Sequence, residues 1–123
     1  MITFFFTVNK SFLERTNHPI TIPRAYNSDL VSAIYGGTGG RTIPVTLTPP
    51  KGRILNGEIY YGKASYGPYY QIKVLGQYPS DYFGDLKIGE SVMVSIVKSG
   101  RHANVRIISQ KQARAAAEKL MSQ

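Results

Sequence analysis

The chain has 123 residues, two histidines and no cysteine, which excludes a disulfide framework and a thiolate zinc site and leaves room for one hydrophobic core. Fifteen basic residues stand against seven acidic ones, a formal charge of +8, and such an excess attracts polyanions. The charge is segmental: residues 98–123 hold Lys98, Arg101, Arg106, Lys111, Arg114 and Lys119 against Glu118, whereas 74–97 sets Asp81, Asp85 and Glu90 against Lys87. That division predicts a basic face, with the acidic 74–97 stretch turned away from it.

In chain order, Ile2–Val8 alternates aromatic and β-branched residues and reads as a first strand, too short for a signal peptide or a membrane span. An intracellular protein is expected, in the cytoplasm or nucleoid, or in a eukaryotic nucleus, with no membrane partner. Asn9–His18 follows as a polar loop anchored by Phe12 and Leu13. Ile20–Ile22 reads as a short strand and Arg24–Ile34 as a short helix after Pro23, with Tyr26, Leu30, Ala33 and Ile34 at near-helical spacing. Further strands are expected at Thr42–Leu47, Ile54–Tyr61, Tyr69–Leu75, Ser91–Val97 and Asn104–Ile108, divided by Pro49-Pro50-Lys51-Gly52, Tyr66-Gly67-Pro68 and Lys98-Ser99-Gly100-Arg101. Seven short strands imply a sandwich or a barrel. Ser109–Met121 closes the chain as a helix, with Ser109 and Gln112 spaced as a capping box and only a thin apolar stripe. The expected organisation is a β domain over 1–108 and a C-terminal helix over 109–123.

Motifs for chemistry are sparse. Gly36-Gly37-Thr38-Gly39-Gly40-Arg41-Thr42 has the glycines of a phosphate-cradling loop, but Tyr35 and Arg41 stand where a P-loop needs Gly and Lys, and a strand follows where a helix is required. The seven acids form no recognisable carboxylate pair and no nucleophile elbow occurs. No catalytic residue, metal site or cofactor is expected, and His18 and His102, both in polar turn-like sequence, read as exposed surface or ligand contacts.

Two segments do suit nucleic acid. Tyr60–Lys73 interleaves aromatic rings, hydroxyls and lysines around a hairpin, supplying donors for base edges and cations for phosphates. Alternate tyrosines in strands are often packing residues, so half of Tyr60, Tyr61, Tyr69 and Tyr70 are assigned to structure, and Lys63, Ser65 and Tyr66 at the tip to contact. Asn9–His18 supplies a second set of polar donors, as the other jaw of a clamp.

The order of these features resembles the B3 DNA-binding domains of plant transcription factors and the similar effector domains of bacterial restriction endonucleases. The first strand and polar arm run into Ile20-Thr21-Ile22-Pro23-Arg24-Ala25-Tyr26, similar to that family's arm and apolar-Ile-Pro-basic stretch. Tyr69-Tyr70-Gln71-Ile72-Lys73-Val74 and Asp85-Leu86-Lys87-Ile88-Gly89-Glu90-Ser91-Val92-Met93-Val94 resemble its aromatic strand, glycine turn and following strand. The resemblance spans Phe4 to Ile108. It implies a mainly β, seven-stranded open pseudobarrel with one short internal helix besides the C-terminal one. Two arms, Lys10–His18 with Arg24 nearby and Tyr61–Tyr66, would grip the major groove. Plant members commonly carry tryptophan in the second arm and before the glycine turn; this chain has none, which places it nearer the bacterial branch.

The leading expectation is therefore sequence-specific binding of double-stranded DNA through Lys10, Arg15, Asn17, His18, Arg24, Lys63, Ser65 and Tyr66, as the recognition module of a restriction or regulatory system, any nuclease lying in another domain or subunit. Arg101, within the basic stretch Lys98, Arg101, His102 and Arg106, is expected to add a phosphate contact. The alternatives are single-stranded nucleic acid or RNA stacked on exposed tyrosines of a small barrel, and a protein partner or attached domain docked through Ser109–Gln123.

Overall fold

The computed structural model describes residues 1–122. Seven strands form one sheet, β1 (Ile2–Thr7), β2 (Ile20–Thr21), β3 (Ile43–Thr48), β4 (Leu55–Ala64), β5 (Gly67–Val74), β6 (Ser91–Ser99) and β7 (His102–Ile108), in the order β1-β6-β7-β3-β4-β5-β2. The sheet curls into a nearly closed barrel whose one open seam lies between the edge strands β1 and β2. Three helices accompany it: α1 (Lys10–Glu14), α2 (Asn27–Ala33) and α3 (Gln110–Met121). No helix among the described residues is long and apolar enough to cross a membrane.

All seven expected strands are present, with boundaries shifted by at most a few residues. Their alternation is what seals the interior: Ile2 and Phe4, Val45 and Leu47, Tyr70, Ile72 and Val74, Val92, Val94 and Ile96, and Ala103, Val105 and Ile107 all point inward and are buried. Side chains between them face outward, as the period of two requires. Prolines sit where a missing N–H costs no ladder bond. Pro44 precedes the stretch of β3 that pairs with β7, and Pro68 precedes the stretch of β5 that pairs with β2.

Strand register decides which loops share an end of the barrel. β4 and β5 close at Ala64 opposite Gly67, leaving a two-residue turn, Ser65-Tyr66; β6 and β7 close at Ser99 opposite His102 around Gly100-Arg101. Because β3 runs antiparallel to β4 and parallel to β7, both turns lie at the same end. The segments that leave β1, β3, β5 and β7 start from the other end.

Two helical features differ from expectation. Lys10–Glu14 is helical where a polar loop was expected, so the chain has two internal helices and not one; Asn9 nucleates the turn by accepting the Phe12 N–H at 2.8 Å on its side-chain oxygen. The segment after Pro23 is a 3-10 turn, Arg24–Tyr26, that runs into α2. The C-terminal helix α3 has the expected capping box between Ser109 and Gln112 and buries no residue; Gln112 also donates to the Pro50 carbonyl at 2.6 Å.

The contact between β3 and β7 joins the two halves of the sheet, and Leu47 opposite Val105, both fully buried, is its centre. Leu47→Ala is expected to lower the unfolding free energy by about 2–5 kcal/mol in urea titration, whereas Thr46→Ala, on the outer face of the same pairing, should cost less than about 1 kcal/mol.

Candidate nucleic-acid interface

The second arm is a ribbon made by β4 and β5. Tyr70 is buried and Tyr61 packs beside it at 5.3 Å between ring centroids, while Tyr60 and Tyr69 lie on the outer face 6.1 Å apart. The tyrosines thus divide evenly between packing and surface. Gly62 makes room for the Tyr69 ring, which any side chain there would strike. Lys63, Ser65 and Tyr66 project from the tip, all exposed, with Tyr66 58% exposed. Gly67, at φ +120°, takes the backbone reversal that an L side chain resists.

Arg24 belongs to this arm. Its guanidinium lies 5.7 Å from the centre of the Tyr66 ring, because β2 runs antiparallel to β5 and delivers Arg24 toward the hairpin tip. The expectation that placed it beside the first arm is corrected by that strand direction.

The first arm leaves the opposite end of the barrel. Phe12, fully buried, pins α1, and its ring meets Phe6 at 5.4 Å and Phe83 at 5.9 Å. Lys10 and Arg15 remain exposed, Lys10 within 3.9 Å of the Glu14 carboxylate and both ends of that pair solvated. Such a pair contributes little to stability and leaves the ammonium accessible.

His18 is not the exposed side chain expected. It stacks on Phe83 at 4.2 Å, sits 5.2 Å from Phe12 and 5.5 Å from Tyr78, and its Nδ1–H donates to the Phe12 carbonyl at 2.6 Å. The carbonyl can only accept, so the ring is the Nδ1–H tautomer. The residue holds φ +41°, alone among described non-glycine residues in the left-handed region. His18 is a clasp that ties the end of the arm to the core.

Asn17 is also turned inward. Its carbonyl accepts the Val74 N–H at 2.8 Å, and its side-chain oxygen is buried with no hydrogen-bond partner among the described residues. The acidic 74–97 stretch does not turn away from this arm as a whole. Its aromatic residues Tyr78 and Phe83 pack against His18, and Tyr78 donates its hydroxyl to the Thr16 carbonyl. Its acids look elsewhere: Asp81 pairs with Lys51 at 3.5 Å, and Glu90 accepts the Lys87 N–H at 3.2 Å.

Between the arms lies a floor that sequence reasoning left out, the outer face of β2, β5 and β4. Thr21 and Gln71 bond across β2 and β5 at 3.0 Å, and the Lys73 ammonium sits 3.7 Å from the centre of the Tyr60 ring. A cavity of about 290 Å³ lined by Asn9, Ser11, Arg15, Thr21 and Gln71 connects the first arm to this floor. The alternation Tyr69, Gln71, Lys73 was the signal that could have found it. The eight residues of β5 set the arms about 25 Å apart at about 3.3 Å per residue.

Lys10, Arg15, Arg24, Lys63 and Lys73 give this surface its positive charge, against Glu14 and Glu58. Arg101 lies on the β6–β7 turn, outside both arms but at the end of the barrel that also carries the second arm, while Arg106 lies further along β7 opposite Thr48, apart from Lys98 and Arg101. No protein-family model matches the chain, and a search among curated proteins finds no match.

Burial lowers the His18 pKa below its ordinary 6.5, and the bond to the Phe12 carbonyl opposes that shift only in part. The folded state therefore resists protonation that the unfolded chain accepts. The resulting stability is present above pH 6.5 and is lost as pH falls through the folded-state value. Urea midpoints should drop on acidification through this window, and His18→Gln should be less stable at neutral pH and show a flatter dependence.

Proposed function

We propose that the chain binds double-stranded DNA of preferred sequence through the two arms and the β2–β5–β4 floor between them, with basic side chains on phosphates and the polar groups of floor and tips toward base edges of the major groove, as the resemblance to B3-like domains implies. The observation that carries this reading is the juxtaposition of two cationic projections at opposite ends of one polar and aromatic sheet face. Lys10, Arg15, Arg24 and Lys63 supply phosphate contacts, and Ser65, Tyr66 and Gln71 supply polar groups for base edges. Asn17 and His18 act by holding the first arm in place, and the chain contributes recognition without chemistry.

The tyrosine-rich face also favours a second reading, stacking of single-stranded bases. Its rings are already engaged: Lys73 covers Tyr60, Arg24 lies against Tyr66, and Tyr69 rests over Gly62. These contacts weigh toward the duplex.

Titration against random duplex, single-stranded DNA and RNA at about 50 and 200 mM salt separates the readings. Duplex should bind best and weaken roughly 10²-fold across that range, as about four phosphate contacts require. A preference for single strands would favour the stacking reading, and binding to none would end both. Arg15→Ala and Lys63→Ala should each weaken duplex binding about equally for all sequences, with the salt slope shallower by about 1. Tyr66→Ala should relax preference at a position found by selection from a random duplex pool.

A further inference from the structure

The end of the barrel that carries the β4–β5 turn also carries the β6–β7 turn, and between them lies the Gly36–Arg41 loop that leads into β3. Strands β7 and β4 stand two strand spacings apart, about 10 Å, and β4 and β5 run on past the level of the β6–β7 turn to the arm tip. The Lys98 ammonium lies 3.8 Å from the point where a side chain at Gly36 would begin, so hairpin and glycine loop adjoin.

This loop is held from within. Gly40 donates its N–H to the Tyr70 hydroxyl at 3.0 Å and Gly37 donates to the Val31 carbonyl at 2.9 Å. Arg41 lies over the Tyr35 ring at 5.1 Å and donates to the carbonyls of Tyr35 and Thr38. At Gly39 a side chain would run into the Tyr70 hydroxyl and Val31. A loop pinned in this way loses little entropy when a ligand arrives.

Charge at this end is one-sided. Arg24, Arg41, Lys63, Lys98 and Arg101 are exposed there, with His102 beside them, and Asp29 on α2 is the one carboxylate at this end among the described residues. The remaining acids lie mid-strand, at Glu58, or on segments that leave the other end: Glu14, Asp81, Asp85, Glu90 and Glu118. Among the described residues the ion pairs are Lys10–Glu14 and Lys51–Asp81, so Lys98 and Arg101 have no carboxylate partner.

We propose that Lys98 and Arg101, set against the pinned glycine loop and Arg41, form a second polyanion site that takes backbone phosphates of the duplex beyond the bases faced by the β2–β5–β4 floor. The proposal rests on the duplex reading and extends its footprint around the barrel end. Phosphodiesters at this site add affinity without sequence information.

The test is the full-length double variant Lys98→Ala/Arg101→Ala, titrated with random-sequence duplex across a salt series beside the parent chain and Arg15→Ala. Circular dichroism checks that the exposed turn leaves the fold intact. The expected result is a salt slope shallower by about 2, weaker binding by a common factor for every duplex, and an unchanged preferred sequence. An unaltered slope and affinity, with Arg15→Ala still weakening binding, would overturn this site and leave the two-arm reading standing. A changed preference at one base position would overturn the phosphate assignment. A parent chain with no salt-dependent duplex binding would remove the duplex reading, and this inference with it.

Discussion

Strand β3 hydrogen-bonds to β7 in parallel, with Thr46 opposite Asn104 and Thr48 opposite Arg106, and through that pairing β1-β6-β7 and β3-β4-β5-β2 become one sheet. The strands it unites are almost sixty residues apart in sequence, so the chain closes a long loop before the contact is rewarded. Leu47 and Val105 meet there without solvent exposure, and their burial offsets that closure. The direction of the pairing matters as much as its strength. An antiparallel contact would have sent the β6–β7 turn to the opposite end, beside α1 and the acidic segment, and the one-sided charge of the barrel end would not exist.

Closure also explains why the two arms differ in construction. The second arm is regular sheet extended past the barrel rim, and its outward residues are fixed by the pleat. The first arm is irregular chain and depends on side chains: Phe12 sunk in the core, the His18 ring stacked on Phe83, and a hydrogen bond from that ring to the Phe12 carbonyl. Rigid arms lose less entropy on binding than loops ordered by the ligand. Under the duplex-binding reading proposed above, phosphate contacts would provide most of the affinity and polar groups on the floor and tips the discrimination.

The strands were legible in the sequence because each bears its own alternation, and Ile2–Thr7 or Ser91–Ser99 needs no distant partner to declare which face is buried. The α3 capping box was legible for the same reason, as a local pattern of two residues three positions apart. What escaped was set by contacts across the chain. His18 looked solvated because the ring it stacks on lies at Phe83, sixty-five positions away. α1, of five residues, is too short for a helical period, although Asn9 ahead of Phe12 was a usable cap signal. Arg24 was assigned to the nearer arm in sequence, and only the β2–β5 register shows that it belongs to the other. The evenly spaced Tyr69, Gln71 and Lys73 mark the floor as a continuous outward face, a weaker local signal than the polar and glycine residues concentrated at the hairpin tip.

The direct test of the proposed duplex-binding face is residue-level mapping: amide chemical shifts of the full chain followed during titration with a duplex chosen by selection. The expected perturbations fall on Asn9–Arg15, Thr21, Lys63–Tyr66 and Gln71, and extend to Lys98–His102 at the adjoining barrel end. Perturbations confined to the outer face of β3, β7 and β6, around Thr46, Ser95 and Asn104, with the arms unmoved, would contradict the assignment of the interface.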